Sequence, residues 1–231
     1  MSVYFVSGID TGTGKTIVTG LLARALARRG TRVITQKFIQ TGCEGISEDI
    51  LKHREIMGVE LLEEDKQGTT CPYLLTYPAS PHLAAEMDGV SIDARKIEEA
   101  TRRLEQTHHT VLLEGAGGLY TPVSRHYFTI DYIRERGYPL ILVTSPRLGS
   151  INHTLLSLEA CRRQGIRVAC LVYNRYPDDG SPIVADSITF FKEYLAARLP
   201  SCGWIEIPFA GSGHYPDIPA EGILERFTGQ P

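Results

Sequence analysis

One glycine-rich segment limits the fold of this chain more than any other feature. Gly8–Thr16 reads GIDTGTGKT, and it lies between an apolar run, Ser2–Ser7, and a segment with helical spacing of apolar residues, Lys15–Arg29. Strand, glycine loop and helix in this order place free backbone amides and the positive end of a helix dipole at one point. The alternative is a glycine turn without a ligand, but Gly-Lys-Thr at the helix start favours a phosphate-binding loop in an α/β fold.

Apolar runs alternate with amphipathic segments along the whole chain, which is typical of βαβ units and a parallel sheet. The predicted strands are Ser2–Ser7, Arg32–Gln36, a strand around Val111–Leu113, Pro139–Thr144, Arg167–Tyr173 and Gly203–Ile207. The later predicted helices are Ser91–Gln106, Ile151–Gln164 and Val184–Leu199. Such continuously apolar strands are expected in a sheet buried on both faces. The sequence therefore predicts one domain, residues 1–231, with a doubly wound, mainly parallel sheet, helices on both faces and the P-loop NTPase fold.

The segment Gly58–Met87 has the weakest periodicity in the chain. It is either a lid or substrate loop, or an irregular surface excursion. Within it, Ser80-Pro-His82 either presents polar groups to a ligand or forms a turn.

The charge balance excludes some partners. The 231 residues carry 24 Lys and Arg against 27 Asp and Glu, a net charge of −3, which argues against binding to nucleic acid or a membrane surface by bulk charge. The absence of a membrane-length apolar run and of a positively charged leader predicts a cytoplasmic protein. Five cysteines without a CxxC pair are interpreted as ordinary thiols.

Lys37 and Glu114 directly follow predicted strands, where ligands bind in open α/β sheets, and Asp49 lies just downstream of Lys37 in Ser47–Ile50. Lys37 is either a second cation for phosphate or carboxylate groups, or a surface lysine. Asp49 is either a magnesium ligand or a carboxylate favoured by a helix N-terminus. Glu114 opens the small-residue segment Glu114–Gly118, and we expect it to join Thr16 and Asp49 around Mg²⁺ rather than to stand exposed in a tight turn.

A further glycine turn, Leu148–His153, lies between a predicted strand and a predicted helix. Free amides at Gly149–Ile151 would suit a carboxylate. His153 is interpreted as a helix-surface residue without a role in proton transfer. In the first loop, Lys15 is expected to reach the terminal phosphates and Thr16 to place its hydroxyl on the metal.

Taken together and in this order, the motifs resemble those of the dethiobiotin synthetase family, the ATP-dependent carboxylases of biotin synthesis. The matching segments are Gly8–Thr16, Lys37–Gly42, Asp49, Ser80–His82, Glu114–Gly118 and Leu148–His153. The similarity covers nearly the whole chain, with Phe38 where the family often has proline and Thr41 where it often has serine. Asn174 resembles the asparagine that recognises the base, whereas the nucleotide loop around Pro208 diverges.

The resemblance implies a reaction that needs Mg²⁺ but no organic cofactor. The substrate 7,8-diaminononanoate takes up carbon dioxide as a carbamate, the carbamate attacks the γ-phosphate of ATP, and the second amine closes a cyclic urea with loss of phosphate. Thr11 and Lys15 would hold phosphate and carbamate oxygens, Lys37 would stabilise the charge between them, and Thr41 would hydrogen-bond the substrate. Phosphoryl transfer depends chiefly on positioning and charge neutralisation, which agrees with these roles.

The resemblance also implies a homodimer with shared active sites and a full set of site residues. The catalytic set is Lys37, Lys15 and Thr11. The implied nucleotide site is Asp10, Thr11, Gly12, Thr13, Gly14, Lys15, Thr16, Glu114, Gly117 and Asn174. The implied metal ligands are Thr16, Asp49 and Glu114. The implied substrate site is Lys37, Thr41 and Gly118, with Gly149, Ser150, Ile151 and Asn152 of a second subunit.

Two other classes of protein share a loop of this kind. Partitioning and septum-positioning switch ATPases carry a signature lysine four residues before the last glycine of the loop, where this chain has Asp10. A small-molecule kinase is not excluded by the phosphate loop alone. A cobyrinate-type amidase would need an additional glutaminase domain, for which 231 residues leave little room.

Overall fold

The computed structural model describes residues 2–176, 180–209 and 215–218. Its strands are β1 Ser2–Gly8, β2 Val33–Lys37, β3 Gln40–Thr41, β4 Leu74–Leu75, β5 Thr110–Gly118, β6 Pro122–Ser124, β7 Tyr127–Phe128, β8 Leu140–Thr144, β9 Val168–Asn174 and β10 Gly203–Ile207. Its helices are α1 Lys15–Arg28, α2 Glu48–Met57, α3 Glu63–Lys66, α4 Pro81–Met87, α5 Ala94–Thr107, α6 Thr129–Arg136, α7 Ser150–Gln164 and α8 Pro182–Arg198.

Six strands form one sheet in the order β10-β9-β8-β1-β5-β2, and every neighbouring pair is parallel. Successive residues of β1 point to opposite faces, so that Val3 and Phe5 join one hydrophobic cluster while Tyr4 and Val6 join the other. Helix α1 packs into the second cluster through Val18, Leu21 and Leu22 among others. This confirms the predicted doubly wound parallel sheet with helices on both faces.

The sheet order places the loop after β1 at the centre of the carboxyl edge. Strand β1 lies between β5 and β8, and the chain passes to β2 on one side and to β9 and β10 on the other. Ligands bind at such a switch point in open α/β sheets, because the loops on either side diverge and leave a crevice. Residues at the ends of β1, β2 and β5 therefore share one site.

The segment Gly58–Met87 is not an irregular surface excursion. It contains α3, β4 and α4, and its Tyr73 and Leu75 belong to the hydrophobic core. Asp65 accepts hydrogen bonds from Arg54 Nε and Nη2, both at 2.8 Å, and this buried ion pair ties α3 to α2. Arg54 Nη1 also donates to Thr35 Oγ1 at 2.9 Å, which ties α2 to β2. Weak periodicity hid this order because polar groups, rather than an apolar stripe, hold much of the segment.

The remaining expectations concern cysteines and membranes. All five cysteines are free thiols, which agrees with the sequence interpretation. Within residues 2–176, 180–209 and 215–218, no helix combines the length and the hydrophobicity needed to cross a membrane.

Candidate active site

The loop after β1 has a backbone that only glycine permits at two positions. Gly12 and Gly14 have φ angles of +66° and +83°. A Cβ on Gly14 would lie 2.2 Å from Nδ2 of Asn174, a distance no side chain tolerates. The same Nδ2 donates to the carbonyl of Thr13 at 3.0 Å, so Asn174 at the end of β9 holds the loop. Asn174, which the resemblance implies recognises the base, therefore uses one of its amide hydrogens to bind the loop.

Lys15 begins α1 and lies in the concave side of this loop. Its Nζ donates to the carbonyl of Asp10 at 3.2 Å, and the side chain is 8% exposed. Asp10 in turn accepts a hydrogen bond from the amide of Thr11 at 2.7 Å. Burial lowers the pKa of the Lys15 ammonium below its ordinary value, although Glu114 opposes the shift.

A cluster of polar side chains faces Lys15 across the crevice. The hydroxyl of Thr16 lies 2.9 Å from Asp49 Oδ1 and 3.0 Å from Glu114 Oε1. Lys37 forms ion pairs with both carboxylates, and its Nζ lies 2.9 Å from Glu114 Oε1 and 3.2 Å from the carbonyl of Gly115. Register explains the pairing, because Lys37 of β2 lies directly opposite Glu114 of β5. The structure thus brings together Lys15, Thr16, Lys37, Asp49 and Glu114.

The charges of this cluster support one another. Burial alone would raise the pKa of Glu114, but the charge of Lys37 and a hydrogen bond from His53 hold that pKa well below its usual range. Burial alone would lower the pKa of Lys37, but Glu114 and Asp49 raise it above its ordinary value. Two lysines face two carboxylates, so the charges of the side chains in this cluster nearly balance.

The expectation for the surroundings of Glu114 needs one correction. Glu114 is completely buried, and Glu114–Gly118 continues β5 rather than forming a loop after it. The exposed-turn interpretation of Glu114 is therefore wrong. Gly118 pairs with Gly8 in the sheet. Its amide donates to Thr121 Oγ1 at 2.9 Å, and its carbonyl accepts from the amide of Thr121 at 3.2 Å. Small residues at this end of β5 bring backbone close to the phosphate loop.

Sequence reasoning missed two side chains of the site. His53 is completely buried, and its Nε2 lies 2.8 Å from Glu114 Oε2. It follows Asp49 by four residues on α2, and this spacing, which places both side chains on one helix face, could have revealed it. Arg147 lies against the loop, since a Cβ on Gly12 would be 3.0 Å from its Nη1.

The oxygen atoms of this cluster suit Mg²⁺ that is bound together with phosphate oxygens and water. They do not form a complete metal site on their own. Thr16, Asp49 and Glu114 supply one hydroxyl and two carboxylates, the hard ligands that Mg²⁺ prefers. Among the described residues, no group of three or more His, Cys, Asp and Glu side chains is arranged to hold a metal ion. This donor set suits an ion that keeps water and shares its coordination with phosphate oxygens.

Two adjoining clefts meet at the phosphate loop. A polar cleft of about 350 Å³ is lined by the loop, the charged cluster and Thr41. A larger cleft of about 1030 Å³ has mainly apolar walls from Ile9, Pro78–Pro81, Leu119–Pro122 and Leu156 of α7. Thr11, Thr41, Ala116 and Gly117 line both clefts, whereas Gly118 lines the larger one. A polyanion in the polar cleft and an aliphatic molecule in the larger cleft would therefore lie next to each other.

Gly149–Asn152 lie apart from the other predicted substrate residues. Gly149, with φ +91°, precedes α7, and the four residues are not among those that line either cleft. Contrary to the expectation from the sequence, the amide of Ser150 is not free, because it donates to the carbonyl of Arg147 at 2.9 Å. Anion binding by the other amides at the start of α7 stays a prediction.

A glycine loop after the central strand, a lysine at the helix start and a hydroxyl beside two carboxylates define a P-loop nucleotide-binding protein. A family model described as an AAA domain matches residues 2–205. ATP-dependent dethiobiotin synthetase BioD of Chlorobaculum tepidum is 55% identical over 206 residues, which cover 89% of this chain and 84% of that protein. BioD 2 of Haemophilus influenzae is 57% identical over 176 residues, 76% of this chain and 92% of that protein. The chain belongs to the dethiobiotin synthetase family.

Solved structures with lower identity share the fold. The ParA protein of pNOB8, solved bound to nonspecific DNA, superposes with a TM-score of 0.58 at 12% identity and covers 100% of this chain and 99% of its own. A chain of the MinC:MinD cell division protein complex of Aquifex aeolicus gives a TM-score of 0.53 at 16% identity, with 100% of this chain and 87% of its own covered. These likenesses concern architecture alone and confirm the P-loop fold.

Proposed function

We propose that this chain is an ATP-dependent cyclo-ligase that converts 7,8-diaminononanoate and carbon dioxide into dethiobiotin, with release of ADP and phosphate, in biotin biosynthesis. The observation that carries the proposal is the pair of clefts that meet at Thr11 and Thr41. The polar cleft suits the phosphates of ATP, and the apolar walls of the larger cleft suit the aliphatic chain of the diamine. Membership of the dethiobiotin synthetase family supports the same activity.

The reaction couples bond formation at both clefts. One amine of the substrate adds to carbon dioxide and gives a carbamate. A carbamate oxygen attacks the γ-phosphorus of ATP and ADP leaves; the second amine then attacks the carbonyl carbon and phosphate leaves. Thr11 and Lys15, which line the cleft, would hold phosphate and carbamate oxygens at the shared boundary, and backbone amides of the glycine loop would add donors to the phosphates. Thr41 would orient the amine end of the substrate.

Lys37 must exchange partners to act on the substrates. In the structure its ammonium forms ion pairs with Asp49 and Glu114. Thr16, Asp49 and Glu114 would hold the Mg²⁺ of MgATP, and the ion would supply charge neutralisation at the phosphates. The Lys37 ammonium then becomes available to the carbamate and the γ-phosphate, which share the cleft that Lys37 lines.

The carboxylate of the substrate requires a second anion site. We propose that it lies at the turn Gly149–Asn152 of a second copy of the chain, as the family resemblance implies, with the amides other than that of Ser150 as donors. This turn does not line either cleft of its own copy. The active enzyme is then a homodimer in which each copy completes the substrate site of the other.

The test is phosphate release from MgATP with 7,8-diaminononanoate and bicarbonate, with each component omitted in turn and the product mass determined. We expect release to require both cosubstrates and the product to be heavier than the diamine by one carbonyl less two hydrogens. ATP hydrolysis indifferent to the diamine would instead indicate a switch ATPase, despite the acidic residue at position 10. A phosphorylated product would indicate a kinase.

Glu114→Gln should raise the Mg²⁺ concentration needed for half-maximal phosphate release by about tenfold. The amide keeps the shape of the side chain but loses the charge that attracts the cation and pairs with Lys37. A magnesium titration of both proteins at saturating ATP checks the shift. Glu44→Gln, which changes an exposed glutamate, is the control. A titration curve unchanged by Glu114→Gln would remove Glu114 from the metal site.

A further inference from the structure

His53 occupies a special place behind the charged cluster. Its ring is completely buried on α2, and Nε2 lies 2.8 Å from Oε2 of Glu114. The other carboxylate oxygen, Oε1, already contacts Thr16 and Lys37 at 3.0 and 2.9 Å. In the described part of the chain, His53 is the hydrogen-bond partner found at Oε2. A carboxylate only accepts hydrogen bonds, so Nε2 carries the hydrogen.

We propose that His53 is a positioning residue that holds Glu114 in the orientation required of a metal ligand. The inference rests on the proposed role of Glu114 in binding the Mg²⁺ of MgATP. By fixing Oε2, the imidazole leaves Oε1 directed at Thr16 and Lys37 on the side of the cleft. Outer hydrogen bonds of this kind set both the orientation and the strength of a ligand.

The surroundings of the His53 ring indicate that its hydrogen bond to Glu114 is its main polar interaction. His53 Nδ1 is buried without a hydrogen-bond partner among the residues that the structure describes. Burying a ring nitrogen without a hydrogen-bond partner costs free energy, and a leucine at this position would fill the space without that cost. The contact with Glu114 is the interaction that offsets this burial.

Helix α2 thus supports both carboxylates of the site. Asp49 belongs to its first turn, and His53, one turn later, reaches Glu114 on β5. Arg54 fixes the helix against α3 and β2 through Asp65 and Thr35. Asp49 is thereby placed directly and Glu114 through His53, so one rigid element sets the spacing between the two carboxylates.

The experiment compares His53→Leu with His53→Gln. The leucine side chain fills the site but cannot donate, whereas the glutamine amide nitrogen can take the place of Nε2. Binding of Mn²⁺ to the protein in the presence of ADP, followed by the loss of the free-ion electron paramagnetic resonance signal, reports metal affinity without turnover. We expect His53→Leu to raise the Kd for Mn²⁺ at least about tenfold and His53→Gln to restore it to within about threefold of the unsubstituted chain.

The kinetic readout should divide in the same way. In His53→Leu, half-maximal phosphate release should need about tenfold more Mg²⁺, whereas kcat at saturating Mg²⁺ changes less than about threefold. The affinity for ADP without metal should be unchanged. His126→Leu, which changes an exposed histidine between β6 and β7, is the matched control and should alter neither quantity.

Defined outcomes would overturn the proposal. An unaltered Kd for Mn²⁺ in a folded His53→Leu protein would do so, and so would a defect that His53→Gln shares in full. If His53→Leu does not fold, His53→Asn replaces it, because the shorter amide cannot reach Oε2; equal affinities in the Asn and Gln variants would then reject the role. If the Kd values for Mn²⁺ change as expected in the two variants but the unsubstituted protein forms no dethiobiotin, the proposed function is rejected and the positioning role of His53 is retained.

Discussion

Lys15→Ala should reduce phosphate release from MgATP by about 10³-fold or more while the protein remains folded. The Lys15 ammonium lies in the loop, fixed by the Asp10 carbonyl at 3.2 Å, so it can meet the terminal phosphates without reorganisation. Its carboxylate neighbours pair with Lys37 instead. Removal of the Lys15 side chain therefore breaks no buried ion pair. We expect the free energy of unfolding to change by less than about 1 kcal/mol.

Phosphate-release assays measure the loss of activity, and urea unfolding of the same preparations measures the free energy of unfolding. Lys52→Ala removes an exposed lysine of α2 that pairs with Glu55 and serves as the control for a general loss of positive charge. Isothermal titration with ATP and with ADP would locate the effect, because a lysine that reaches the terminal phosphates should affect ATP more. Turnover within about threefold of the unsubstituted chain would remove the first loop from the mechanism.

The sheet was predictable because parallel strands buried on both faces carry continuous apolar runs. Strand β10 has the predicted bounds, Gly203–Ile207, and α7 begins one residue before the predicted start. The missed helices, α2, α3, α4 and α6, are no longer than ten residues. Helix α6, with the sequence TIDYIRER, owes its place to the burial of Ile130, Tyr132 and Ile133 in the core, which a short window of sequence does not reveal. Glycines disguised the end of β5 as a loop.

The phosphate loop and the charged residues Lys37, Asp49 and Glu114 were predictable from the sequence, but His53, Arg147 and the electrostatic arrangement were not. Glycine and lysine in strand–loop–helix order identify the phosphate loop locally. The pairing of Lys37 with Glu114 depends on two strands that are adjacent in space but 77 positions apart in sequence. Motif order therefore indicated that these residues belong to one site, whereas strand register determines that Lys37 lies opposite Glu114 and pairs with it.

Lys37→Met should affect both stability and chemistry. Methionine fills much of the space but leaves Asp49 and buried Glu114 without their cation, so the free energy of unfolding near pH 7.5 should fall by about 3 kcal/mol. Lys37 holds the pKa of Glu114 down against burial, so this contribution is present above the unfolded pKa of about 4.3 and is lost as the pH falls. In Lys37→Met, burial raises the pKa of Glu114, and acidification should relieve the repulsion.

The difference in stability between Lys37→Met and the unsubstituted chain should therefore shrink between pH about 7.5 and about 5, as urea unfolding at the two values would show. Since the proposed work of Lys37 is in the transition state, kcat should fall about 10²–10³-fold while the Kd for MgATP changes less than about threefold. Lys52→Met, at an exposed pair on α2, should change neither property. A raised Kd with an unchanged kcat would reduce Lys37 to a binding group, and a stability loss independent of pH would show that the Asp49 and Glu114 charges are not its cause.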